Sequence, residues 1–589
     1  VNDAKHPTAV AVTAFTDLTD NGAIPRRSAQ EYLRLGEDIL SLQMPMVIFC
    51  DDNLHKFIAQ RRRELCPDHT TVVHPIDFTT QWEPDRITVD HLLSLNRPAA
   101  LGNRLKDTTD YVFVGWSKWH WMATAAKVIP ADGYWWFDFG LTHVARVING
   151  IEDACSHALS PDNPHNVILI SLEREYIDIN RDTFESYINS SADGNSEWLQ
   201  RGSPTMAGGI FGVRASSLEA WCNEMERLRI DSLSRNIVSS DQMLLSWYAA
   251  THLEQTRVIP SQYEDLLTDF VREIPVVLAR LDNETKITTL ANQLGDGWSA
   301  MNPSIASSAS GEYLAVIRHV NYRYDNGEYI TLDDSRIIKT RNVLVRLDHN
   351  FSVIDAREID DTICCEVPQF PVHGLEDVRL FSVNNQWMIS ASIRQHRSDG
   401  VCEILLGRLD DNVVTSFVII PSPLPTRHEK NWMPLHQHSR CEWLWNVEPP
   451  VRIVVDDITD SFISIPPVSH LIPTTLRGGS QLIFWRDAWL CVVHDVVWHR
   501  VARGHRREYR HYFARISSDL TTVTMSRPFL FEHSGIEFCA GISPAPTGVV
   551  VSYGVEDAEA RLMVISDACI DDLFSTPRNE SPLAPQIFS

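Results

Sequence analysis

Apolar residues follow two different rhythms along this chain. Up to about residue 270, short apolar runs alternate with segments of helical period, beginning with Thr8-Ala-Val-Ala-Val-Thr-Ala-Phe15 and the helix-like stretch Ala29 to Leu42. Met46-Val-Ile-Phe-Cys50 and Thr71-Val-Val-His74 continue as buried strands around a basic helix near Phe57 to Leu65. Trp116 to Lys127 has the spacing of a helix, Gly133-Tyr-Trp-Trp-Phe-Asp-Phe-Gly140 that of a strand, and Ser217 to Leu228 and Ser240-Asp-Gln-Met243 open further helices. This alternation predicts an α/β layer with ligand loops at the carboxyl ends of its strands. Beyond residue 300 the pattern becomes strand-like, as in Tyr313-Leu-Ala-Val-Ile-Arg318, Val343-Leu-Val-Arg-Leu347, Trp387 to Ser392, Glu403 to Gly407 and Leu562-Met-Val-Ile565.

Turn residues separate those later runs. Nearly 300 residues of short strands accommodate a β-propeller of about five four-stranded blades better than one sandwich. The predicted organisation is an α/β, Rossmann-like domain over residues 1–275, a linker over 276–300 punctuated by Gly295-Asp-Gly297, and an all-β five-bladed propeller over 301–589. A chain of 589 residues exceeds one hydrophobic core, so more than one domain is expected on length alone.

Composition narrows the partners. With 52 basic and 77 acidic residues the formal charge is −25, which opposes nonspecific attraction to nucleic acid or anionic membrane. No run approaches the roughly 18 apolar residues of a membrane span, and Val1-Asn-Asp-Ala-Lys has no signal-peptide core, so no integral membrane segment and a cytoplasmic location are expected. Eleven cysteines without CxxC spacing are expected as reduced core thiols.

Candidate chemistry in the first half centres on the strand exit at Asp138. Binding a sugar-nucleotide diphosphate through Mn²⁺ or Mg²⁺ calls for carboxylate oxygens at such a place. The succession Trp116/Lys118, Trp136-Phe-Asp138-Phe-Gly140, Gly208-Gly-Ile-Phe-Gly212 and Asp241-Gln242 resembles a GT-A glycosyltransferase, most closely the bacterial HtrL/YibB-like family, over roughly residues 8 to 260. That resemblance implies Asp138 as the metal ligand, Lys118 near the donor phosphates, and Asp241 as acceptor contact or base. It also implies Gly208, Gly209 and Gln242 as glycan contacts. Trp136 and Gly140 depart from the usual DxD pattern; Asp51, Asp52 and His252 remain alternative sources of a further ligand.

The second half carries Asn302-Pro303, Arg318, Gly374-Leu-Glu-Asp-Val-Arg379, Glu429-Lys-Asn-Trp432, Gly478-Gly-Ser480, His494, Tyr509-Arg-His511, Glu537-Phe-Cys-Ala-Gly541 and Ser552-Tyr-Gly-Val-Glu-Asp557. Carboxylates beside cations suit proton transfer to a sugar oxygen next to an anionic group. The set resembles the inverting β-mannoside phosphorylase family and its related mannosyltransferases over about residues 300 to 566, with Val378 where that family commonly has Pro. The resemblance implies Asp377 as general acid, Arg379, Lys430, His494 and Tyr509 as sugar or phosphate contacts, and Glu376 and Arg318 as glycan contacts. Together the halves imply a two-domain glycosyltransferase using a nucleotide-sugar donor and a glycan acceptor, the propeller being a second transferase or a glycan-binding domain. A β-mannoside phosphorylase or hydrolase, and a non-catalytic glycan-binding propeller on an inactive transferase fold, are the alternatives.

Overall fold

The structure is a computed structural model that describes residues 7–18, 28–76, 78–95, 108–145, 149–160, 163–176, 204–281, 285–325, 328–333, 336–365, 368–420, 422, 428–437, 440–447, 450–455, 463–464, 476–501, 504–520, 522–575 and 580–582. The chain divides into two compact units, Val1–Pro275 and Val276–Ser589 apart from Val501–Arg503.

The first unit is built on one seven-stranded sheet, β1 (Ala9–Phe15), β2 (Met46–Cys50), β3 (Thr71–Pro75), β4 (Gly133–Phe137), β5 (Val167–Tyr176), β6 (Pro204–Arg214) and β7 (Thr256–Ser261). Their spatial order is β3-β2-β1-β4-β6-β5-β7. All neighbours are parallel except β6, which runs antiparallel to both β4 and β5. Strands β1, β2 and β4 are apolar on both faces because each face is covered: Trp82, Trp116, Trp119, Trp121 and Trp136 fill one cluster, Trp135, Phe137, Ile168 and Phe270 the other. The expected helix Ala29 to Leu42 is broken at Gly36 into Ala29–Leu35 and Glu37–Leu40, and Ser28 and Glu31 form a capping box at its start.

The second unit is a series of antiparallel sheets. The first contains Ser299–Ser307, Tyr313–Val320, Ile338–Leu347 and Val353–Glu358; the second contains Glu376–Val383, Gln386–Ile393, Glu403–Asp410 and Val413–Ile420. The third runs through Met433–Gln437, Arg440–Val447, Pro450–Val455 and Ile463–Ser464, and the fourth through Arg477–Gly478, Ala488–Val501, Gly504–Ser517 and Thr522–Met525. Glu537–Ala545, Gly548–Val555 and Glu559–Ser566 form the fifth. First strands meet at the centre: Ser299–Ser307 lies against Glu537–Ala545 and Glu376–Val383, and the latter lies against Met433–Gln437. These five sheets are the blades of a propeller.

Side chains tie neighbouring blades where their backbones approach. Ser304 Oγ accepts from Leu380 N at 3.0 Å, Ser552 Oγ accepts from Ile305 N at 3.0 Å, and Gln481 Nε2 donates to the carbonyls of Ile305 and Ile542 at 2.7 and 2.8 Å. Each bond satisfies a buried main-chain group that no ladder reaches.

The stretch 276–300, expected as a linker, belongs to the second unit. Val276–Val277 pairs in parallel with Phe529–Leu530, Leu278 is fully buried, and Lys286–Leu290 pairs antiparallel with Glu559–Ser566 as the outer strand of the fifth sheet. The last blade is thus closed by the beginning of its own unit. The same pattern explains why the stretch reads as a linker: a two-residue strand and a mostly exposed edge strand have no periodicity of their own.

Candidate functional site

In the first unit, helix Thr109–Val128 delivers Lys118 beneath the exit of β4. Its Nζ is 2.7 Å from Asp138 Oδ1 and 2.6 Å from Asp241 Oδ2, and it donates to the Gly208 carbonyl at 2.8 Å. Three acceptors match the three protons of an ammonium. Lys118 is buried, with 6% of its side chain exposed, whereas the Asp138 side chain is 43% exposed. Burial opposes the lysine's charge, but the carboxylates of Asp138 and Asp241 outweigh it and hold the pKa above the ordinary lysine range.

Local structure fixes each partner. Asp138 follows β4, its N–H donates to the Gly209 carbonyl at 2.8 Å, and its Oδ1 accepts from Trp136 Nε1 at 2.7 Å. Asp241 opens helix Asp241–Thr251 behind the Ser240 cap and accepts from the Gln242 N–H at 2.9 Å. Gly208 faces Asp241 so closely that a Cβ there would lie 2.3 Å from Oδ2. The expected phosphate contact, Lys118, therefore has its ammonium committed to the protein, and Gly208 serves the approach of Asp241. Gln242 adjoins this group through its main chain, and Gly209 through its carbonyl.

The donor set does not make a metal shell. An ammonium already bridges the two carboxylates, and among the described residues no three His, Cys, Asp or Glu side chains gather in a metal-binding group. Asp51 accepts instead from Thr16 Oγ1 and the Asp17 N–H, both at 2.8 Å, and His252 stacks on Tyr248 with centroids 4.3 Å apart.

The second unit gathers the other predicted residues at the inner strand Glu376–Val383. Its ladder with Gln386–Ile393 shifts register between Glu376 and Arg379, and Asp377 sits in that bulge at φ 47°. Asp377 Oδ1 accepts from Arg318 Nη1 at 2.7 Å and from Asn302 Nδ2 at 3.0 Å. Glu376 Oε2 accepts from Lys430 Nζ at 2.8 Å and lies 3.7 Å from Arg318 Nη2. Arg379 donates to the carbonyls of Gly479 and Asp377 at 2.7 and 2.8 Å and to Asn431 Oδ1 at 3.1 Å. Arg318, Lys430 and Arg379 thus meet Glu376 and Asp377 here, and Asp557 lies near enough to Arg318 and Asp377 to feel both charges.

Burial tends to raise both carboxyls, yet the cations prevail. Arg318, Lys430 and Arg379 hold Asp377 well below the usual carboxylate range, and Lys430 and Arg318 lower Glu376. Burial lowers Arg379 to about 10, which leaves it charged at neutral pH. Lys430 is raised because Glu376 outweighs its burial, and its side chain remains 36% exposed. Of these three cations it is the most exposed.

His494 and Tyr509 stack at 5.5 Å, and Phe538 packs edge-on against His494 at 5.2 Å. Burial, with Arg477 and Arg379 nearby, pushes His494 down to about 3, so it is neutral at pH 7. Tyr509 is raised, chiefly by burial. Sequence reasoning assigned no role to Asn431, Tyr322 or Asp557. Asn431 holds Arg379, while Tyr322 and Asp557 are near enough to Arg318 and Asp377 to affect their charges. Asn302, Asp377 and Asn431 all adopt positive φ, at 43°, 47° and 64°, a region where Asn and Asp are enriched.

Residues 8–272 match the model of a family described as a bacterial protein of unknown function, HtrL_YibB. A search of curated proteins finds no match. Among solved structures, the chain is similar to the β-1,2-mannobiose phosphorylase of Listeria innocua in complex with β-1,2-mannobiose, at 14% identity and TM-score 0.32, over 49% of this chain and 96% of that one. MPT-4, a mannose phosphorylase from Leishmania mexicana in complex with phosphate ion, matches at 12% identity and TM-score 0.35, over 49% and 90%. MPT-1, a GDP-Man-dependent mannosyltransferase from Leishmania mexicana, matches at 14% identity and TM-score 0.34, over 49% and 92%.

Proposed function

We propose that this protein is a two-domain carbohydrate-active transferase whose propeller passes a sugar from a phosphate-bearing donor to a glycan acceptor. A Rossmann-like α/β unit of the glycosyltransferase type accompanies it. The carrying observation is the Asp377 cluster: a buried carboxylate held ionised by Arg318, Lys430 and Arg379, with the Lys430 side chain open to solvent. The mixed seven-stranded sheet, with Asp138 at a strand exit, supports the reading of the first unit.

In this mechanism Lys430 and the Arg318 side of the cluster receive the donor's phosphate or diphosphate, matching anionic oxygens to fixed donors. The acceptor hydroxyl attacks the anomeric carbon, the bond from that carbon to the phosphate oxygen breaks, and the diphosphate leaves with the electron pair. The hydroxyl proton passes to Asp377, directly or through a sugar hydroxyl. An ionised carboxylate is ready to accept that proton, whereas phosphorolysis starts from a carboxyl that already holds one. An incoming anion offsets the cations that keep Asp377 acidic and so raises its affinity for the proton it takes from the acceptor hydroxyl.

The test is a screen of sugar nucleotides with oligosaccharide acceptors, read as glycan product. Asp377→Asn is expected to lower transfer by about 10²- to 10⁴-fold with the circular dichroism unchanged. Phosphate-dependent release of a sugar 1-phosphate from β-mannosides, without transfer from any nucleotide donor, would replace this reading by the phosphorylase.

A further inference from the structure

Lys118 also bears on the metal requirement of the first unit. Asp138 and Asp241 come from elements about 100 residues apart, and both direct a carboxylate oxygen at one point. That point is filled by Lys118 Nζ at 2.7 and 2.6 Å, with the Gly208 carbonyl completing its hydrogen bonds at 2.8 Å. We propose that Lys118 is a built-in cation that takes the place of a divalent ion, so that the Asp138 site works without bound metal.

Three features carry this inference. The ammonium is buried and saturated with acceptors, so an entering ion would have to displace it from three hydrogen bonds. An ion placed instead on the second oxygen of Asp138 would stand one carboxylate away from that ammonium, whose charge weakens the attraction of the pair. Finally, no third His, Cys, Asp or Glu joins the pair among the described residues, so the carboxylates an ion would need are the two that already hold the ammonium. Gly208 is part of the same device, because only a residue without Cβ lets Asp241 close on the lysine.

The inference concerns the carboxylate pair and does not depend on the transferase reading, so failure to find transfer leaves it standing. Mn²⁺ is titrated into the full chain at neutral pH and free ion is followed by electron paramagnetic resonance, for the parent, Asp138→Asn and Lys118→Met. The parent and Asp138→Asn are expected to give superimposable isotherms. Lys118→Met, which frees two carboxylates, is expected to bind one additional Mn²⁺ at least tenfold more tightly than the parent. One Mn²⁺ bound by the parent and lost in Asp138→Asn overturns the proposal, as does a folded Lys118→Met that binds no more than the parent. If Lys118→Met does not fold, the comparison of the parent with Asp138→Asn still decides.

Discussion

Arg379 illustrates how one residue can support a site without facing its ligand. Only 2% exposed, it holds two main-chain carbonyls and Asn431 from the centre of the propeller. Arg379→Met keeps the bulk but leaves three acceptors unpaired, so a loss of about 3 kcal/mol is expected in urea unfolding. An unchanged midpoint would show that those acceptors find other partners. The carboxylates predict a pH dependence. Glu376 and Asp377 are both lowered in the folded state, so their contribution is complete above the unfolded value of about 4 and is lost as pH falls from there through the folded values. Acid titration of the unfolding midpoint should show this loss. Arg318→Met, which removes a cation from both carboxylates, should make the curve shallower below about pH 4.

At the scale of elements, the periodic parts of the fold were legible and the convergent parts were not. Strands such as Met46–Cys50 and Tyr313–Val320 announce themselves through continuous or alternating apolar residues. The edge strand Lys286–Leu290 does not, because its partner Glu559–Ser566 lies about 270 residues away and supplies the reason for its shape. The bulges at Asn302 and Asp377 are equally local in geometry and distant in cause. Gly208 lies within β6, not in a turn, and its lack of Cβ is what the Asp241 helix needs. Gly208→Ala is expected to destabilise the first unit by about 1–3 kcal/mol by pushing Asp241 off Lys118, measured by chemical denaturation. A neutral substitution would mean that the helix can withdraw at little cost.

For the whole molecule, the useful signals were those linking chemistry to a strand end, and the missing ones were pairings across long separations. The Glu376-Asp377-Val-Arg379 fragment pointed to the centre of the second unit, where Arg318 and Lys430 join it from other blades. Asp138 was placed at a strand exit, but Lys118, 20 residues earlier in the sequence, reversed the meaning of its charge: the expected metal ligand is a partner of a buried ammonium. A chain of net charge −25 thus gathers Arg318, Lys430 and Arg379 around Asp377, and sets a single ammonium between the two carboxylates of Asp138 and Asp241. Among the described residues no helix is long and apolar enough to cross a membrane.

The central claim is that sugar transfer is carried out at Asp377. Its most direct test is the rate of glycan formation from a sugar nucleotide and an oligosaccharide acceptor, compared between the parent, Asp377→Asn and Asp138→Asn. The account predicts that Asp377→Asn alone lowers transfer by the propeller, by about 10²- to 10⁴-fold, while both variants stay folded. Undiminished turnover in Asp377→Asn would contradict it.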